Sequence, residues 1–345
     1  MKPRIINIKT ANPSFKVEQK ELIPFMMAQD IPYRRKEYYR RFLSDGGVVT
    51  RTFGIERVDQ VINESCDQSI QRFEQVAVDL ATKAGRQCLE SEGLSPENID
   101  GLIIVTCTGY LCPGLTSYVL ESLNLKPDTF ILDIVGHGCG AALPALRNAE
   151  HFLLSKPQGA NVLLIAVEVC SAAFFDGDAV DLMISNSIFG DGAAACIVTN
   201  TLKPGWSIEG HQSLLFPQYR EDLRFKTTNG HLSNVLSKNV PQIVACAVKE
   251  ILERMKLDVL PEVLVFHTGG RAILDRLQVE LGLSPQALEA SRRVLAEYGN
   301  MSSPCVLYVL KQFMDETIFD EGTEALMLSY GAGVAVNATQ LRWAI

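Results

Sequence analysis

The chain has 345 residues, of which 47% are hydrophobic and 21% are charged, a composition typical of a compact folded protein with one large domain or two fused ones. Its 40 acidic residues outnumber its 32 Lys and Arg residues, and the formal net charge of -8 excludes a general attraction to nucleic acid while allowing a local basic patch. No apolar run reaches the ~18 residues of a membrane helix, and the first residues lack a signal-peptide core, so we expect a cytoplasmic protein without a membrane partner.

Helix-like and strand-like segments alternate along the first part of the chain. Apolar residues at helical spacing predict a helix over residues 71–92. The segments that follow are predicted as a strand (99–109), a helix (117–125), a strand (129–136), a helix (139–155) and a strand (160–169). Continuous apolar strands between helices indicate an α/β protein with a largely parallel sheet covered on both faces.

After about residue 204 the alternation starts again. The pattern predicts a helix (240–256), a strand (262–270), a helix (272–281) and a turn that opens another apolar helix (298–314). We therefore predict two similar halves, residues 1–205 and 206–345, which share one packed body because no long flexible linker separates them.

The two halves match at the residues that carry chemistry. Cys107 and His267 both follow an apolar strand, 160 residues apart, and Cys139 and Asn300 both lie in a Gly-containing turn that opens an apolar helix, 161 residues apart. Each residue taken singly has a structural explanation. Cys139 fits core packing, His267 fits a hydrogen-bonded core histidine, and Asn300 fits a helix N-cap. The near-equal spacings favour a shared site instead, because a pseudo-twofold axis brings equivalent loops together.

Cys139, His267 and Asn300 form a coherent set for acyl chemistry. The set supplies a nucleophile, a base and an amide donor. Cys139 begins the predicted helix, where partial positive charge favours the thiolate. No metal is expected: the nine cysteines include no Cys-x-x-Cys pair, and the five histidines show no metal-ligand spacing. The odd number of cysteines in a long chain also argues against a disulfide scaffold, so reduced thiols are expected.

Three motifs together resemble the type III polyketide synthases, the chalcone synthase-like branch of the thiolase superfamily. They are "GHGCGAALPAL" around Cys139, "VFHTGGRAILD" around His267 and "EYGNMSSPCVLYVL" around Asn300. The resemblance implies an α/β, thiolase-like αβαβα layered fold made of two duplicated halves, a homodimer and a Cys-His-Asn site. A starter acyl-CoA is then loaded on Cys139 and extended with malonyl-CoA by decarboxylative Claisen condensation. Cyclisation to a pyrone, resorcinol or phloroglucinol-type product follows, with no cofactor beyond the coenzyme A thioesters themselves.

The resemblance also implies where coenzyme A binds. In the family a basic N-terminal helix lies at the coenzyme A tunnel, and residues 33–51 are rich in Lys and Arg, although a solvated helix face explains such a run equally well. The residues implied as contacts are Arg40, Arg41, Lys238, Arg271 and Ala272. Arg271 stands where plant members usually carry proline.

Cavity residues are implied in the same way. Phe174 or Phe175 resembles the first of two gatekeeper phenylalanines of the plant enzymes, and Asn234 stands at the second position. Cys107 and Cys112 are implied as cavity and dimer-interface positions. Small Ala172 and Ala173 leave room, which favours an aliphatic starter.

Two other functions fit parts of the pattern. A ketoacyl synthase III shares the Cys-His-Asn set but takes its extender from acyl carrier protein and condenses once. A thiolase-fold protein without catalysis would serve as a binding subunit, which the intact Cys139, His267 and Asn300 disfavour.

Overall fold

The computed structural model describes residues 2–257 and 259–345. Its strands are β1 (Arg4–Ala11), β2 (Phe15–Glu18), β3 (Thr50–Phe53), β4 (Gly101–Val105), β5 (Phe130–Ile134), β6 (Asn161–Val169), β7 (Asp191–Thr199), β8 (Gly205–Leu215), β9 (Leu223–Thr228), β10 (His231–Leu236), β11 (Val263–Phe266), β12 (Glu324–Gly331) and β13 (Ala335–Ala344). Its α-helices are α1 (Gln19–Ala28), α2 (Tyr33–Asp45), α3 (Gln60–Asn63), α4 (Cys66–Glu92), α5 (Leu115–Ser122), α6 (Ala142–Leu154), α7 (Val180–Ile188), α8 (Val240–Arg254), α9 (Arg271–Glu280), α10 (Glu289–Tyr298) and α11 (Cys305–Glu316).

A nine-stranded mixed sheet organises the fold, in the order β5-β4-β6-β7-β1-β8-β13-β12-β11. β4 runs parallel to β5 and β6, and β11 runs parallel to β12, whereas the remaining neighbours are antiparallel. The expectation of a largely parallel sheet is therefore wrong. Helices cover both faces of the central strands. An apolar sequence along a strand indicates that both of its faces are buried, but it does not indicate whether the neighbouring strands are parallel.

The order of elements repeats along the chain. The first series is β1, α4, β4, α5, β5, α6, β6 and β7, and the second is β8, α8, β11, α9, α11, β12 and β13. The two first strands, β1 and β8, pair at the middle of the sheet, with Arg4 opposite Ser207 and Ile5 opposite Trp206. β8 begins at Gly205, so the predicted division between residues 205 and 206 falls at the start of the second series, and the division itself stays a prediction.

Side chains of the first half alternate between two cores. In β4, Leu102 and Ile104 pack with α4 and α5, whereas Ile103 and Val105 point to the other face and pack with α6. This alternation is the period of two that a strand imposes on its side chains. The first half of the sheet thus has a helical layer on each face.

The second half is built in the same way. In β11, Leu264 and Phe266 pack with α8 and α9, whereas Val263 and Val265 join the core that contains α6 and α11. Helices α6 and α11 therefore form one central layer between the two halves of the sheet. This arrangement confirms the predicted αβαβα fold. Its layers are, in order, α4 and α5, the first half of the sheet, α6 and α11, the second half of the sheet, and α8 and α9.

A smaller layer lies beside this body. Helices α1, α2 and α7 enclose a separate core formed by Val17, Leu22, Tyr39, Leu43 and Met183. The β9–β10 hairpin packs against α7, and the small layer and the hairpin together wall the cavity described below. Within the described ranges, every helix is too short or too polar to cross a membrane.

Candidate active site

Cys139 lies at the entry to the central layer. It is the middle residue of the one-turn 3-10 helix Gly138–Gly140, directly before α6. This turn packs against the end of β12 backbone to backbone: a Cβ on Gly331 would lie 2.4 Å from the amide nitrogen of Gly140. Gly138 also has a positive φ of 56°, which favours glycine. Glycines on both sides of the contact therefore set the position of the cysteine.

Asn300 is fixed in the turn that precedes α11. Its amide nitrogen donates to the carbonyl of Ile188 (2.8 Å), and its carbonyl accepts from the amide of Gly190 (3.1 Å). Its side-chain Oδ1 accepts from the Ser302 amide nitrogen at 2.8 Å, and its Nδ2 donates to the carbonyl of Gly269 at 3.3 Å. Because an amide Nδ2 carries two hydrogens, one remains to donate to a ligand.

His267 follows β11 and is 1% exposed. Its amide nitrogen donates to the Leu328 carbonyl (2.8 Å), and its carbonyl accepts from the Tyr330 hydroxyl (2.8 Å). The Tyr330 ring packs against the imidazole edge-on, with 5.0 Å between the ring centres. The imidazole Nδ1 is buried and finds no hydrogen-bond partner within residues 2–257 and 259–345.

Ser302 links these groups through contacts that the sequence did not predict. Its hydroxyl donates to Cys139 Sγ at 3.2 Å and lies 3.2 Å from Cys107 Sγ. It is fully buried and has a positive φ of 61°, which is unusual for a serine. The turn that holds the amide of Asn300 thus also holds the sulfur of Cys139. The structure brings Cys139, Asn300 and the Gly269 end of the His267 strand into one cluster.

Burial controls the charge of this cluster in the ligand-free protein. Desolvation raises the pKa of Cys139 to about 12, and the Ser302 hydrogen bond lowers it only in part. Desolvation also lowers the pKa of His267 to about 3. The low dielectric disfavours both ions, so these pKa shifts oppose the expected ionisation of Cys139 by the helix start and His267, which stays a prediction.

A buried carboxylate holds the turn after β4. Glu168 in β6 is fully buried, and its Oε2 accepts from the amides of Cys107 (2.9 Å) and Thr108 (3.1 Å). Its Oε1 accepts from the Ser303 hydroxyl at 2.6 Å. Glu168 thereby ties the first half to the turn that carries Asn300. Its sequence signal was a single charge in the otherwise apolar strand 160–169, which the motif reasoning overlooked.

A mostly apolar cavity lies beside this cluster, between α1, α2, α7, β3 and the β9–β10 hairpin. Three of the predicted cavity residues, Ala173, Phe174 and Asn234, line it. Phe189 also lines it and pairs with Asn300 in an isolated β-bridge, so the cavity adjoins the turn that holds Asn300. Cys139, His267 and Asn300 themselves are not among its lining residues.

Three predicted cavity residues lie elsewhere: Cys107 lies beside Ser302, and the other two are Phe175 and Cys112. Phe175 turns away from the cavity and packs edge-on against His231, because neighbouring side chains on extended backbone point to opposite sides. Cys112 is exposed on the loop before α5, because the turn held by Glu168 ends at Thr108 and the chain then runs outward. Phe189 and Phe225, which the sequence reasoning missed, line the cavity instead.

The residues expected to contact coenzyme A lie at the protein surface. Arg40, Arg41, Lys238, Arg271 and Ala272 are all exposed. α2 ends against the start of α9: a Cβ on Gly47 would lie 3.1 Å from Arg271 Cβ.

The side chain of Ile188 lies beneath this surface. A Cβ on Gly46 or on Gly270 would contact it at 3.6 Å, and the Ile188 carbonyl is the acceptor for the Asn300 amide. The end of α2 and the start of α9 therefore meet over Ile188, whose carbonyl holds the Asn300 amide.

Two family profiles match the chain. The family described as FAE1/type III polyketide synthase-like protein matches residues 9–268. The C-terminal domain of chalcone and stilbene synthases matches residues 209–344. The two matches together span nearly the whole chain.

Individual relatives match over similar lengths. The 1,3,6,8-tetrahydroxynaphthalene synthase of Streptomyces coelicolor is 30% identical over 310 residues, which cover 88% of this chain and 82% of the relative. The phloroglucinol synthase of Pseudomonas fluorescens is 25% identical over 339 residues, covering 96% of each chain. The crystal structure of the S. coelicolor tetrahydroxynaphthalene synthase, a bacterial type III polyketide synthase, superimposes with a TM-score of 0.93, at 26% identity and 99% coverage of both chains.

Replacing Ser302 tests its contact with the Cys139 sulfur. Ser302→Ala removes a donor to the thiolate, so we expect the pKa of Cys139 to rise by about one unit and its alkylation by iodoacetamide near neutral pH to slow about ten-fold. Peptide mass mapping measures the rate at Cys139. Ser303→Ala is the matched control, because Ser303 is equally buried but bonds Glu168. Equal alkylation rates in both variants would contradict the assignment.

Proposed function

The chain belongs to the type III polyketide synthase family, and from this premise we propose that it loads a starter acyl-CoA on Cys139 and extends it with malonyl-CoA. One observation supports the assignment of residues. The Ser302 hydroxyl contacts the Cys139 sulfur, and the Ser302 amide nitrogen orients the side chain of Asn300. Asn300 Nδ2 in turn donates to the carbonyl of Gly269, two residues after His267. Residues from both halves of the chain thus meet at one sulfur atom beside the cavity.

Loading is a transfer of the acyl group between two sulfurs. Cys139 Sγ attacks the thioester carbonyl as His267 accepts the thiol proton, and the carbon–sulfur bond to coenzyme A then breaks. The departing thiolate takes the proton from His267. Burial lowers the pKa of His267, so the imidazole is in the neutral form that can accept a proton, and its basicity has to rise in the substrate complex for this transfer to proceed.

Extension requires an enolate. Malonyl-CoA loses CO₂, and the electron pair of the broken carbon–carbon bond forms an enolate whose oxygen accepts hydrogen bonds from Asn300 Nδ2 and an N–H of His267. The enolate carbon attacks the acyl carbonyl and expels the Cys139 thiolate. Each cycle lengthens the chain by two carbons.

These steps use only the three side chains and the coenzyme A thioesters, so no further cofactor is proposed. Two relatives are named for polyhydroxylated aromatic products, tetrahydroxynaphthalene and phloroglucinol. Their names support a cyclised product for this chain, of the pyrone, resorcinol or phloroglucinol type. The cytoplasmic location stays a prediction, which fractionation of the source cells would check.

The first experiment incubates the protein with an acyl-CoA alone and then adds malonyl-CoA. We expect peptide mass mapping to find the acyl adduct on Cys139, and product formation to need no carrier protein. An adduct on Cys107 instead would overturn the assignment of the nucleophile. A strict requirement for malonyl-loaded carrier protein would favour the ketoacyl synthase III alternative.

Asn300 separates the two half-reactions. Asn300→Ala removes a donor to the enolate oxygen, so decarboxylation of malonyl-CoA should fall by about 10²–10³-fold while acylation of Cys139 persists. His267→Ala should impair both steps. Release of CO₂ from labelled malonyl-CoA and the mass of the Cys139 peptide measure the two steps separately. Equal loss of both in Asn300→Ala would show that Asn300 only holds the cluster together.

Arg40, Arg41 and Lys238 are proposed to bind the phosphates of coenzyme A. Their exposure supports this. Replacing all three with alanine should raise KM for coenzyme A thioesters with little change in kcat, and the effect should shrink in high salt. An N-acetylcysteamine thioester, which lacks the phosphates, is the control. Equal loss of activity toward both substrates would show that the three residues are structural.

A homodimer is proposed from the exposed edge of the sheet. β5 is the edge strand, and Phe130, Ile131 and Val135 are 41%, 47% and 48% exposed along it. An apolar open edge favours association with a second copy. We expect the mass of a dimer in light scattering and a monomer for Ile131→Lys. Val279→Lys, at a still more exposed apolar position on α9, should stay dimeric; a monomeric wild type would contradict the proposal.

A further inference from the structure

Arg51 in β3 is a charged residue in the wall of the cavity. Most of that wall is apolar and includes Leu22, Phe25, Phe53, Val58 and Phe189. Arg51 lines the same space and is 2% exposed. A guanidinium in such a place is costly unless its donors and its charge are compensated, so its surroundings decide what the cavity binds.

Three of the five guanidinium hydrogens have partners. Nε donates to Gln19 Oε1 (2.9 Å), and Nη1 donates to the backbone carbonyls of Asn186 (2.9 Å) and Phe189 (2.7 Å). Nη2 donates to no acceptor among the residues that the structure describes. The two hydrogens of Nη2 therefore remain for a ligand.

Among the described residues, Arg51 lacks the carboxylate partner that the other buried arginines have, and its guanidinium instead lies over the Phe53 ring, 4.9 Å from the ring centre. Arg72 forms a two-pronged pair with Glu64, at 2.7 and 2.8 Å, and Arg35 pairs with Asp176. Across residues 2–257 and 259–345, Arg51 has no carboxylate oxygen within 4.0 Å. Its closest electrostatic partner is Asp191.

The Asp191 carboxylate does not reach the guanidinium of Arg51. Its oxygens accept from the Gly54 amide and from the amide and hydroxyl of Ser171. Burial lowers the pKa of Arg51 to about 9, which leaves the group cationic at neutral pH. A cation with two free donors thus borders an apolar space.

We propose that the cavity binds an aliphatic starter acyl group that ends in a carboxylate, and that Arg51 Nη2 holds this carboxylate. The methylene chain packs against the apolar wall. The guanidinium donates a charge-assisted hydrogen bond to the carboxylate at a fixed distance into the cavity. The proposal rests on the proposed function, because the acyl group reaches the cavity as a thioester that acylates Cys139.

Asn234 and Ser185 do not offer the same recognition. Asn234 Nδ2 donates to Ser185 Oγ at 2.9 Å, and Ser185 Oγ donates to the Asp181 carbonyl at 2.8 Å. These neutral groups already bond to each other and to the backbone. The preference for a carboxylate over an uncharged chain end therefore depends on Arg51.

The experiment measures acylation of Cys139 by mass spectrometry without malonyl-CoA, so that chain extension plays no part. Succinyl-, glutaryl- and adipoyl-CoA are compared with their uncharged isosteres 4-methylpentanoyl-, 5-methylhexanoyl- and 6-methylheptanoyl-CoA. In the wild type we expect the rate for the carboxylate to exceed that for its isostere by about ten-fold or more at one chain length. The length at which the ratio peaks measures the depth of Arg51.

Arg51→Met should reduce that ratio to about one. Tyr39→Phe is the matched control, since it removes a hydroxyl from the same wall without removing charge, and its ratio should stay at the wild-type value. The wild-type ratios test the proposal even where Arg51→Met fails to fold.

Each other outcome has a defined meaning. Adducts on Cys139 with no carboxylate preference at any length overturn this inference and leave the proposed function intact. A preference that persists in a folded Arg51→Met also overturns it, because the basic entrance then selects the charge. If none of the six thioesters acylates Cys139, the proposed function fails and the inference falls with it.

Discussion

A contact between two stretches of backbone holds the candidate site together. The turn around Cys139 comes from the first half of the chain, and the end of β12 comes from the second, and they touch with no side chain between them. Gly331 permits the approach, and the Ser329 hydroxyl donates to the carbonyl of Gly140 at 3.0 Å. The next residue, Tyr330, bonds the backbone of His267. One close contact thus sets the cysteine against the strand that positions the histidine, and any side chain larger than hydrogen at Gly331 would separate them.

Burial gives this site its chemical character. The low dielectric disfavours the charged forms of Cys139 and His267, and it also strengthens every hydrogen bond made to a charge that appears during the reaction. The donors for that charge are already oriented, because the Ser302 amide holds Asn300 Oδ1 and turns Nδ2 toward the cluster. Little reorganisation is left for the moment of reaction. A solvent-exposed version of the same three side chains would lose this advantage, because water would compete for each donor.

The cavity and the catalytic residues share backbone. Phe189 lines the cavity, its carbonyl accepts from Arg51, and the next residue, Gly190, donates to the carbonyl of Asn300. A ligand that moves Arg51 or Phe189 therefore acts on the segment that positions Asn300, the proposed enolate donor. This connection gives a physical reason why the identity of the starter and the efficiency of extension should vary together in this protein.

Local patterns in the sequence determined the layered α/β class, the order of most helices and strands, and the three residues proposed for catalysis. Helical periodicity and apolar strands are properties of short segments, and the duplication placed Cys139, His267 and Asn300 at matching turns. Only the tertiary structure decided the strand directions, the choice of Phe174 and Phe189 over Phe175 at the cavity, and the roles of Ser302, Glu168 and Arg51. Ser302 meets Cys139 across 163 residues of chain, and, among the described residues, the fold brings a carboxylate within hydrogen-bonding distance of Arg72 but not of Arg51. Such contacts arise when distant segments converge, and no local pattern encodes them.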